Sequence, residues 1–386
     1  MAAGALLISN DERGCSERFG DLVPTYSDGE SLRNVMNFWL DHEDARQARV
    51  AEIQKVVRHD HTYDVRARSL LRTLASETQL RISIKCAAAS YRREEWGDFH
   101  FANGLANALR RLGYVVRVDC REDWYCGMAS SDDVVIVLRG RIDYRPKLHQ
   151  KNILWMISHP ELICIDEMMG YDQVYVASEY HTGLLDQLVP GKVEFMAQCT
   201  DTDRFFFDAD TWEARTDRAV YVANSRGEFR KPAKWALEND LELDIYGAGW
   251  APFIESDRLK GGVIPNAVLS ELYGASRLVV CDHWDYMRDM GYISNRVFDV
   301  LGSGGHLVVD SVRGLEDIVP ERYYDVFRTE QEFADILRAP DGTDPEMRRE
   351  AADWVARNHS FEARAIVFSE KIQQLFELPG QGKTLN

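Results

Sequence analysis

The stretch from Leu278 to Asp310 reads LVVCDHWDYMRDMGYISNRVFDVLGSGGHLVVD, and its pattern predicts the fold of the chain around it. An apolar strand, Leu278–Cys281, precedes a polar loop, an amphipathic helix at Asn295–Leu301, a glycine-rich turn and a second apolar strand, His306–Val309. A strand, a helix and a strand in this order predict a βαβ unit with a right-handed crossover. The chain around this stretch should therefore contain a parallel sheet.

The start of the predicted helix is a candidate anion site. Ser294, Asn295 and Arg296 stand there, and Asp299 follows one turn later on the same helix. The first backbone N–H groups of a helix have no partner within it, so they favour a negative ligand such as a phosphate. The alternative is that this βαβ unit is purely structural.

Composition limits the classes of function. The 386 residues are enough for two domains, and the net charge of -17 argues against nonspecific binding to nucleic acid or to an anionic membrane. Any anionic ligand would need a local group of Arg and Lys side chains. The seven cysteines are scattered and form no CxxC pair, which predicts reduced thiols in a cytoplasmic protein and argues against structural zinc.

An internal repeat is predicted between the two ends of the chain. Ala3–Gly14 (AGALLISNDERG) resembles Gly304–Gly314 (GGHLVVDSVRG), and His61–Ala67 (HTYDVRA) resembles His359–Ala365 (HSFEARA). The offset stays near 300 residues, so residues 1–76 are interpreted as the closing part of a preceding, related domain. The chain would then belong to a larger tandem polypeptide. The alternative is that any βα unit followed by helices looks alike.

Strand and helix patterns alternate along the rest of the chain, which predicts an α/β fold with two Rossmann-like domains facing a central cleft. The predicted segments are a first domain over residues 77–200, a linker over 201–216, a second domain over 217–358, and a C-terminal helix and tail over 359–386 that crosses back to the first domain.

The second domain offers cations and a strand end to a ligand. Arg226 and Lys231 flank Gly227 in its first loop, where an Arg fork and a Lys charge would suit a diphosphate. Asp282 and His283 end a buried strand at the expected binding edge. The alternatives are solvated surface cations and a packing histidine.

A base-binding segment is predicted nearby. The backbone of Lys260–Ile264, around Val263, could hydrogen-bond a nucleobase, and Tyr246 or Trp250 could stack on it. A plain turn followed by an edge strand is the alternative.

The first domain supplies the candidate catalytic residues. Asp98 and His100 precede its first predicted helix, Phe101–Leu112, and His159 ends a central strand. His100 or Asp98 could contact the sugar or an acceptor hydroxyl, and His159 could orient the sugar. A helix cap and a turn before Pro160 are the alternatives.

The runs NSRGEFRK, YGAGW and KGGVIPNAVLSELYGASRLVVCDHWDYMRDMGYISNRVFDVLGSGGHLVVD resemble the second domain of GT-B glycosyltransferases. The similarity points to the CgeB-like (spore-maturation-protein-like) group, which is related to the retaining group-1 transferases. GDFHFANGLANALRRLGYVV and ILWMISHPE resemble that group's first domain. The resemblance covers about residues 80–376.

The resemblance implies a transferase that needs no metal or other cofactor and takes a nucleotide-diphosphate sugar as donor. It implies Arg226 and Lys231 at the diphosphate, Gly262–Ile264 at the base, Ser294–Arg296 at the phosphate and Asp299 at the ribose. Gly291 departs from the pattern, since the retaining relatives usually carry a Glu eight positions before the site of Asp299.

The expected activity is transfer of a sugar, with retained configuration, to an acceptor hydroxyl of an unidentified glycan, protein or small molecule. If configuration is inverted, a base such as Asp98 or His100 is needed. The alternatives are a catalytically inactive binding or scaffold module and a sugar-nucleotide epimerase.

Overall fold

The structure is a computed structural model that describes residues 1–10, 15, 18–63, 65–67, 70, 80–342 and 344–376. Two compact units make up the chain, residues 1–79 and residues 80–386, and each is described by itself. Within the described residues, no helix has both the length and the apolar character needed to cross a membrane.

The first unit is a small parallel strand pair followed by two helices. Its elements are β1 (Ser9–Asn10), β2 (Thr25–Tyr26), α1 (Gly29–Asp41) and α2 (Glu43–Asp60). Helix α1 begins where the Asp28 carboxylate accepts the Ser31 N–H at 2.7 Å, which satisfies one bare donor of the first turn. The sequence pattern predicts a strand over residues 2–9 and a helix at Asp64–Leu74. The strand is reduced to a two-residue pairing, and most of the helix lies outside the described residues.

The second unit has two halves, each built on one parallel sheet. The sheet of the first half has six strands in the order β4-β3-β5-β6-β7-β8. Its strands are β3 (Arg81–Lys85), β4 (Val115–Asp119), β5 (Val134–Arg139), β6 (Lys151–Met156), β7 (Gln173–Val176) and β8 (Val193–Phe195). The helices of this half are α3 (Gly97–Arg111), α4 (Ile165–Met169) and α5 (Glu179–Leu188).

Helix α3 begins at Gly97, four residues earlier than predicted. Asp98 and His100 therefore lie in the first helical turn, and the expectation that they precede the helix was wrong. An acidic residue is favourable there because the start of a helix carries partial positive charge.

The second half is built on another six-stranded parallel sheet, in the order β11-β10-β9-β12-β13-β14. Its strands are β9 (Thr216–Val222), β10 (Leu243–Tyr246), β11 (Leu259–Gly261), β12 (Ser276–Cys281), β13 (Leu307–Asp310) and β14 (Tyr324–Phe327). The helices from the linker to the C-terminus are α6 (Ala209–Glu213), α7 (Lys231–Glu238), α8 (Leu269–Ala275), α9 (Asp285–Asp289), α10 (Asn295–Gly302), α11 (Leu315–Ile318), α12 (Glu330–Arg338), α13 (Pro345–Asn358) and α14 (Phe361–Phe376).

The predicted βαβ unit is confirmed, because β12 and β13 pair in parallel and α10 lies between them. Two local expectations were wrong. The loop after β12 contains a short helix, α9, and β11 ends at Gly261 instead of continuing to Ile264. Gly262 and Pro265 explain the early end of β11, since both residue types are unfavourable within a strand.

Helix α14 packs on the sheet of the first half. Phe361 meets Phe101 with ring centroids 4.8 Å apart, and Phe368 meets Trp155 at 5.6 Å. The approach requires a glycine on α3, since a Cβ at Gly104 would lie only 2.2 Å from the Phe361 ring. Helix α14 thus completes the core of the first half of the second unit.

Replacing Phe368 with Ala should lower the free energy of unfolding by about 3–5 kcal/mol, because this fully buried ring would leave a cavity. Phe376→Ala on the same helix is the matched control, since Phe376 is 40% exposed, and should cost much less. Urea unfolding of both variants is the measurement. Equal losses would contradict the assigned packing of α14.

Candidate functional site

The carboxyl ends of β9, β12, β13 and β14 open onto a cavity of about 590 Å³. Strand order reverses at β9, which pairs with β10 on one side and β12 on the other. Loops leaving two such strands diverge to opposite faces of the sheet, which makes the reversal point the usual ligand site of parallel α/β sheets. Charged residues dominate the lining, among them Arg226, Arg230, Lys231, Asp282 and Arg328.

A buried ion pair joins the loops that follow β9 and β12. Arg230 donates from Nε to Asp282 Oδ2 at 3.0 Å and makes a second, shorter contact with Oδ1. Tyr221 donates its hydroxyl to the same carboxylate at 2.7 Å. Asp282, predicted as a ligand contact, is therefore the counterion of Arg230. Sequence reasoning missed Arg230, although its position directly before a predicted helix was visible in the sequence.

Arg226 and Lys231 carry no ion pair among the described residues. The Arg226 guanidinium lies over the Trp284 ring, 4.4 Å from its centroid, and the backbone of Arg226 is left-handed with φ 60°. One side of the residue is open to water. Burial of the guanidinium within the cleft, together with the positive charges of Arg230 and Arg296, lowers the pKa of Arg226 to about 10. The Arg226 guanidinium remains charged at neutral pH, and both side chains are available to an anion.

Arg296 is the third arginine of this region. It stands in the first turn of α10, where Ser294 caps the helix by accepting the Arg296 N–H at 3.4 Å. Burial lowers the pKa of its guanidinium, but the surrounding acidic groups, Tyr273 and Asp282 among them, outweigh this and raise it. No carboxylate pairs with Arg296 within the described ranges. Arg226, Arg230 and Arg296 are here called the arginine cluster. Of the three, only Arg230 pairs with Asp282, and Arg296 does not line the cavity.

His283 holds the loop between β12 and α10. Its Nδ1 donates to Asp310 Oδ1 at 2.7 Å, and its Nε2 accepts the Ser294 N–H at 3.0 Å. Both ring nitrogens are thereby used. His283 lines the cavity and positions the start of α10, and its contact with a ligand stays a prediction.

Asn295 and Asp299 join α10 to the segment that follows the first sheet. The Asn295 N–H donates to Gln198 Oε1 at 3.1 Å. Asp299 accepts the Thr200 hydroxyl at 2.6 Å and the Asn295 amide at 2.9 Å. Burial is the main cause that raises the pKa of Asp299 to about 7. Both carboxylate oxygens, expected at a ribose, already accept hydrogen bonds from the protein.

The predicted base-binding residues separate in the structure. Trp250 is 1% exposed and donates to the Ala223 carbonyl at 2.8 Å, so the expectation that its ring stacks on a base was wrong. Tyr246 is half-buried beside β11. Lys260 and Val263 are exposed at that edge of the sheet and do not line the cavity. A local pattern could not show which aromatic residue enters the core.

Two of the three first-half candidates lie near each other. Burial raises the pKa of Asp98, and the charge of His159 partly offsets this effect. His159 Nδ1 lies 2.7 Å from the hydroxyl of Tyr286, which belongs to the second half and lines the cavity. His100 is instead engaged with the Glu94 carbonyl through Nε2 at 2.9 Å.

Within the described part of the chain, no group of three or more His, Cys, Asp and Glu side chains could hold a metal ion.

Solved structures with the same architecture are glycosyltransferases of the GT-B class. Sucrose-phosphate synthase from Thermosynechococcus elongatus matches with a TM-score of 0.54 and 14% identity over 77% of this chain and 99% of that chain. The T4 phage enzyme BGT, solved with its UDP-glucose substrate, matches with a TM-score of 0.51 and 14% identity over 78% and 100%. AviGT4, a glycosyltransferase of avilamycin A biosynthesis, gives 0.51 and 14% over 77% and 98%.

The model of the glycosyl transferase-like family matches residues 1–72 and 226–369, which together exceed half of the chain. The chain therefore belongs to the glycosyl transferase-like family. A comparison with curated protein sequences gives no significant match.

Replacing Asp282 with Ala should lower the free energy of unfolding by about 3–5 kcal/mol, because the substitution leaves the buried charge of Arg230 without a counterion. Arg226→Ala, in the same loop as Arg230, should cost about 1 kcal/mol or less, since only its contact with Trp284 is lost. Urea unfolding of the two variants compares these roles. A larger loss in Arg226→Ala would show that the pairing is assigned to the wrong arginine.

Asp299 should make stability depend on pH. Its folded pKa of about 7 exceeds the unfolded value of about 3.9, so the folded state holds the proton more tightly. This contribution is fully present below pH ~4 and is lost as pH rises through about 7. The free energy of unfolding, measured by urea at several pH values, should fall less over this window in Asp299→Asn than in the unmodified chain. Parallel curves would contradict the raised pKa.

Proposed function

We propose that this chain is a glycosyltransferase that moves a sugar from a nucleotide-diphosphate sugar to an acceptor hydroxyl. The observation that supports this most is the arginine cluster at the strand-order reversal, with Asp282 as its close counterion. In a chain of net charge -17, such a local excess of cations favours an anionic ligand. The UDP-glucose substrate of the T4 phage relative supports the same donor class.

The diphosphate would lie between the two helix starts that flank the cluster. Arg226 and Lys231 would bind it from the α7 side, and the capped start of α10 with Arg296 from the other side. Guanidinium groups form paired hydrogen bonds with phosphate oxygens, and fixed cations stabilise the negative charge that develops on the departing diphosphate. The reaction is therefore proposed to proceed without a metal ion.

Retention of configuration is proposed on the resemblance to the retaining group-1 transferases. The departing phosphate would then take the proton of the acceptor hydroxyl, and Asp98 and His159 would contact the sugar or the acceptor. Inversion would instead require a base such as Asp98, whose pKa is raised by burial. The anomeric configuration of the product, read by NMR, distinguishes these routes, and an inverted product would overturn the retaining proposal.

We also infer that residues 1–76 are a partial copy of the end of the transferase fold, as the internal repeat of the sequence predicts. The same family model matches both 1–72 and 226–369. The order of elements also agrees, since β1, β2, α1 and α2 correspond to β13, β14, α12 and α13. Capping boxes follow the second strand in both, at Asp28 and Thr329. An experimental structure in which the two segments fail to superpose would refute the copy.

A cytoplasmic location is proposed as well. All seven cysteines are free, and reduced thiols are typical of proteins in a reducing compartment. Secretion of the chain with disulfides formed would contradict this proposal.

Thermal shift with UDP, GDP, ADP, dTDP and their glucose conjugates, in the presence of EDTA, tests the donor site. At a ligand concentration ~100-fold above Kd, binding should add about 2.7 kcal/mol of stability. Arg226→Ala and Arg296→Ala should each lose most of the shift, because each removes a cation without a carboxylate partner. Arg121→Ala, exposed on the first half, is the control.

Failure of every nucleotide to shift the melting temperature would sink the transferase proposal and favour a binding or scaffold module. Conversion of a sugar nucleotide without any acceptor would identify an epimerase.

A further inference from the structure

A histidine and a tyrosine meet across the cleft. His159 follows β6 in the first half, and Tyr286 lies on α9 in the second half. The Tyr286 hydroxyl is 2.7 Å from His159 Nδ1, and Glu161 Oε1 is 3.0 Å from the same nitrogen. Tyr286 and Glu161 thus both contact Nδ1. The other ring nitrogen of His159, Nε2, has no hydrogen bond within the described ranges.

The backbone at His159 is strained. Its φ of 54° and ψ of 52° place it in the left-handed region, and Pro160 follows it directly. Residues other than glycine seldom occupy this region, and a residue before proline normally adopts an extended conformation. Such strain persists where surrounding contacts impose it, and it concentrates at functional sites.

Tyr286 is also linked to the arginine cluster. Its ring stacks on Trp284 at 12° with centroids 6.0 Å apart, and the Arg226 guanidinium lies 4.4 Å from the centroid of the same Trp284 ring. A continuous series of contacts therefore runs from Arg226 through Trp284 and Tyr286 to His159. All three second-half members of the series line the cavity.

We propose that Tyr286 is a positioning residue that holds the His159 imidazole toward the cleft and fixes it relative to Arg226. Glu161 supports the same nitrogen from the first half. This inference rests on the proposed transferase function, in which Arg226 binds the donor and His159 contacts the sugar or the acceptor. Because the Glu161 carboxylate can only accept, Nδ1 carries the ring proton, and the Tyr286 oxygen accepts the same N–H. Burial, with the charge of Glu161, raises the pKa of Tyr286 to about 12, so its phenol stays neutral at neutral pH.

The chain provides a matched control pair. His181 Nδ1 lies 2.7 Å from the hydroxyl of Tyr292, which again joins the first half to the second. Neither residue lines the cavity, and Tyr292 is buried within the interface, where its hydroxyl also meets Met156 Sδ at 2.8 Å. Tyr292→Phe therefore removes a similar contact without touching the series that reaches Arg226.

Kinetics of the purified full chain test the role, with the sugar nucleotide identified by the thermal-shift screen and with water as acceptor. Tyr286→Phe keeps the ring on Trp284 and should lower kcat by about 10- to 100-fold, the range expected for a misplaced reacting group, while donor KM changes less than about twofold. Tyr292→Phe should leave kcat unchanged. Equal effects of the two variants would overturn the proposal.

A double-mutant cycle separates positioning from general damage. Because Tyr286 acts through His159, adding Tyr286→Phe to His159→Gln should cause no further loss of kcat. Multiplicative losses would show that Tyr286 acts independently of His159 and would overturn the proposal.

An NMR readout tests the contact without any substrate. In protein with ¹⁵N-labelled histidine, Tyr286→Phe should shift the ring-nitrogen signals of His159 and leave those of His181 in place, whereas Tyr292→Phe should do the reverse. Unchanged His159 signals would overturn the inference even if transfer is detected. Changed signals in a chain that binds no nucleotide would instead show that the proposed function had failed.

Discussion

The buried pair of Arg230 and Asp282 is the interaction on which the site depends. It ties the loop after β9 to the loop after β12, the two loops that diverge at the strand-order reversal. A buried charge is costly unless it is paired, so Asp282 neutralises the buried guanidinium of Arg230. Arg226 and Arg296 are left without carboxylate partners among the described residues. These two cations add positive charge beside the start of α10.

Several residues predicted to contact a ligand also hold the loops of the site in position. His283 fixes the start of α10 through Ser294 and is itself fixed by Asp310. Asp299 and Asn295 bind the segment around Thr200 and Gln198, which leaves the first sheet. These supporting contacts matter, since a group can bind a ligand well only when its neighbours hold it in place.

The two halves of the second unit meet through polar contacts as well as apolar packing. Tyr292, Met287 and Trp284 enter the apolar cluster of the first half, while His159 and His181 each reach a tyrosine of the second. The helix that carries Tyr286 was expected to be plain loop. Its position explains how the catalytic candidates of the first half can be aligned with cations that belong to the second.

The sequence by itself determined the parallel βαβ architecture, the two sheets and the cations at the loop ends, because apolar runs and helix periodicity are local signals. Only the tertiary structure decided which cations are free. Arg230 and Asp282 are 52 positions apart, and His159 and Tyr286 are 127 apart, so their pairing depends on strand order and on the packing of the two halves. The same holds for Trp250, which packs against the Tyr221 ring and donates to the Ala223 carbonyl. A local pattern carries no information about such partners.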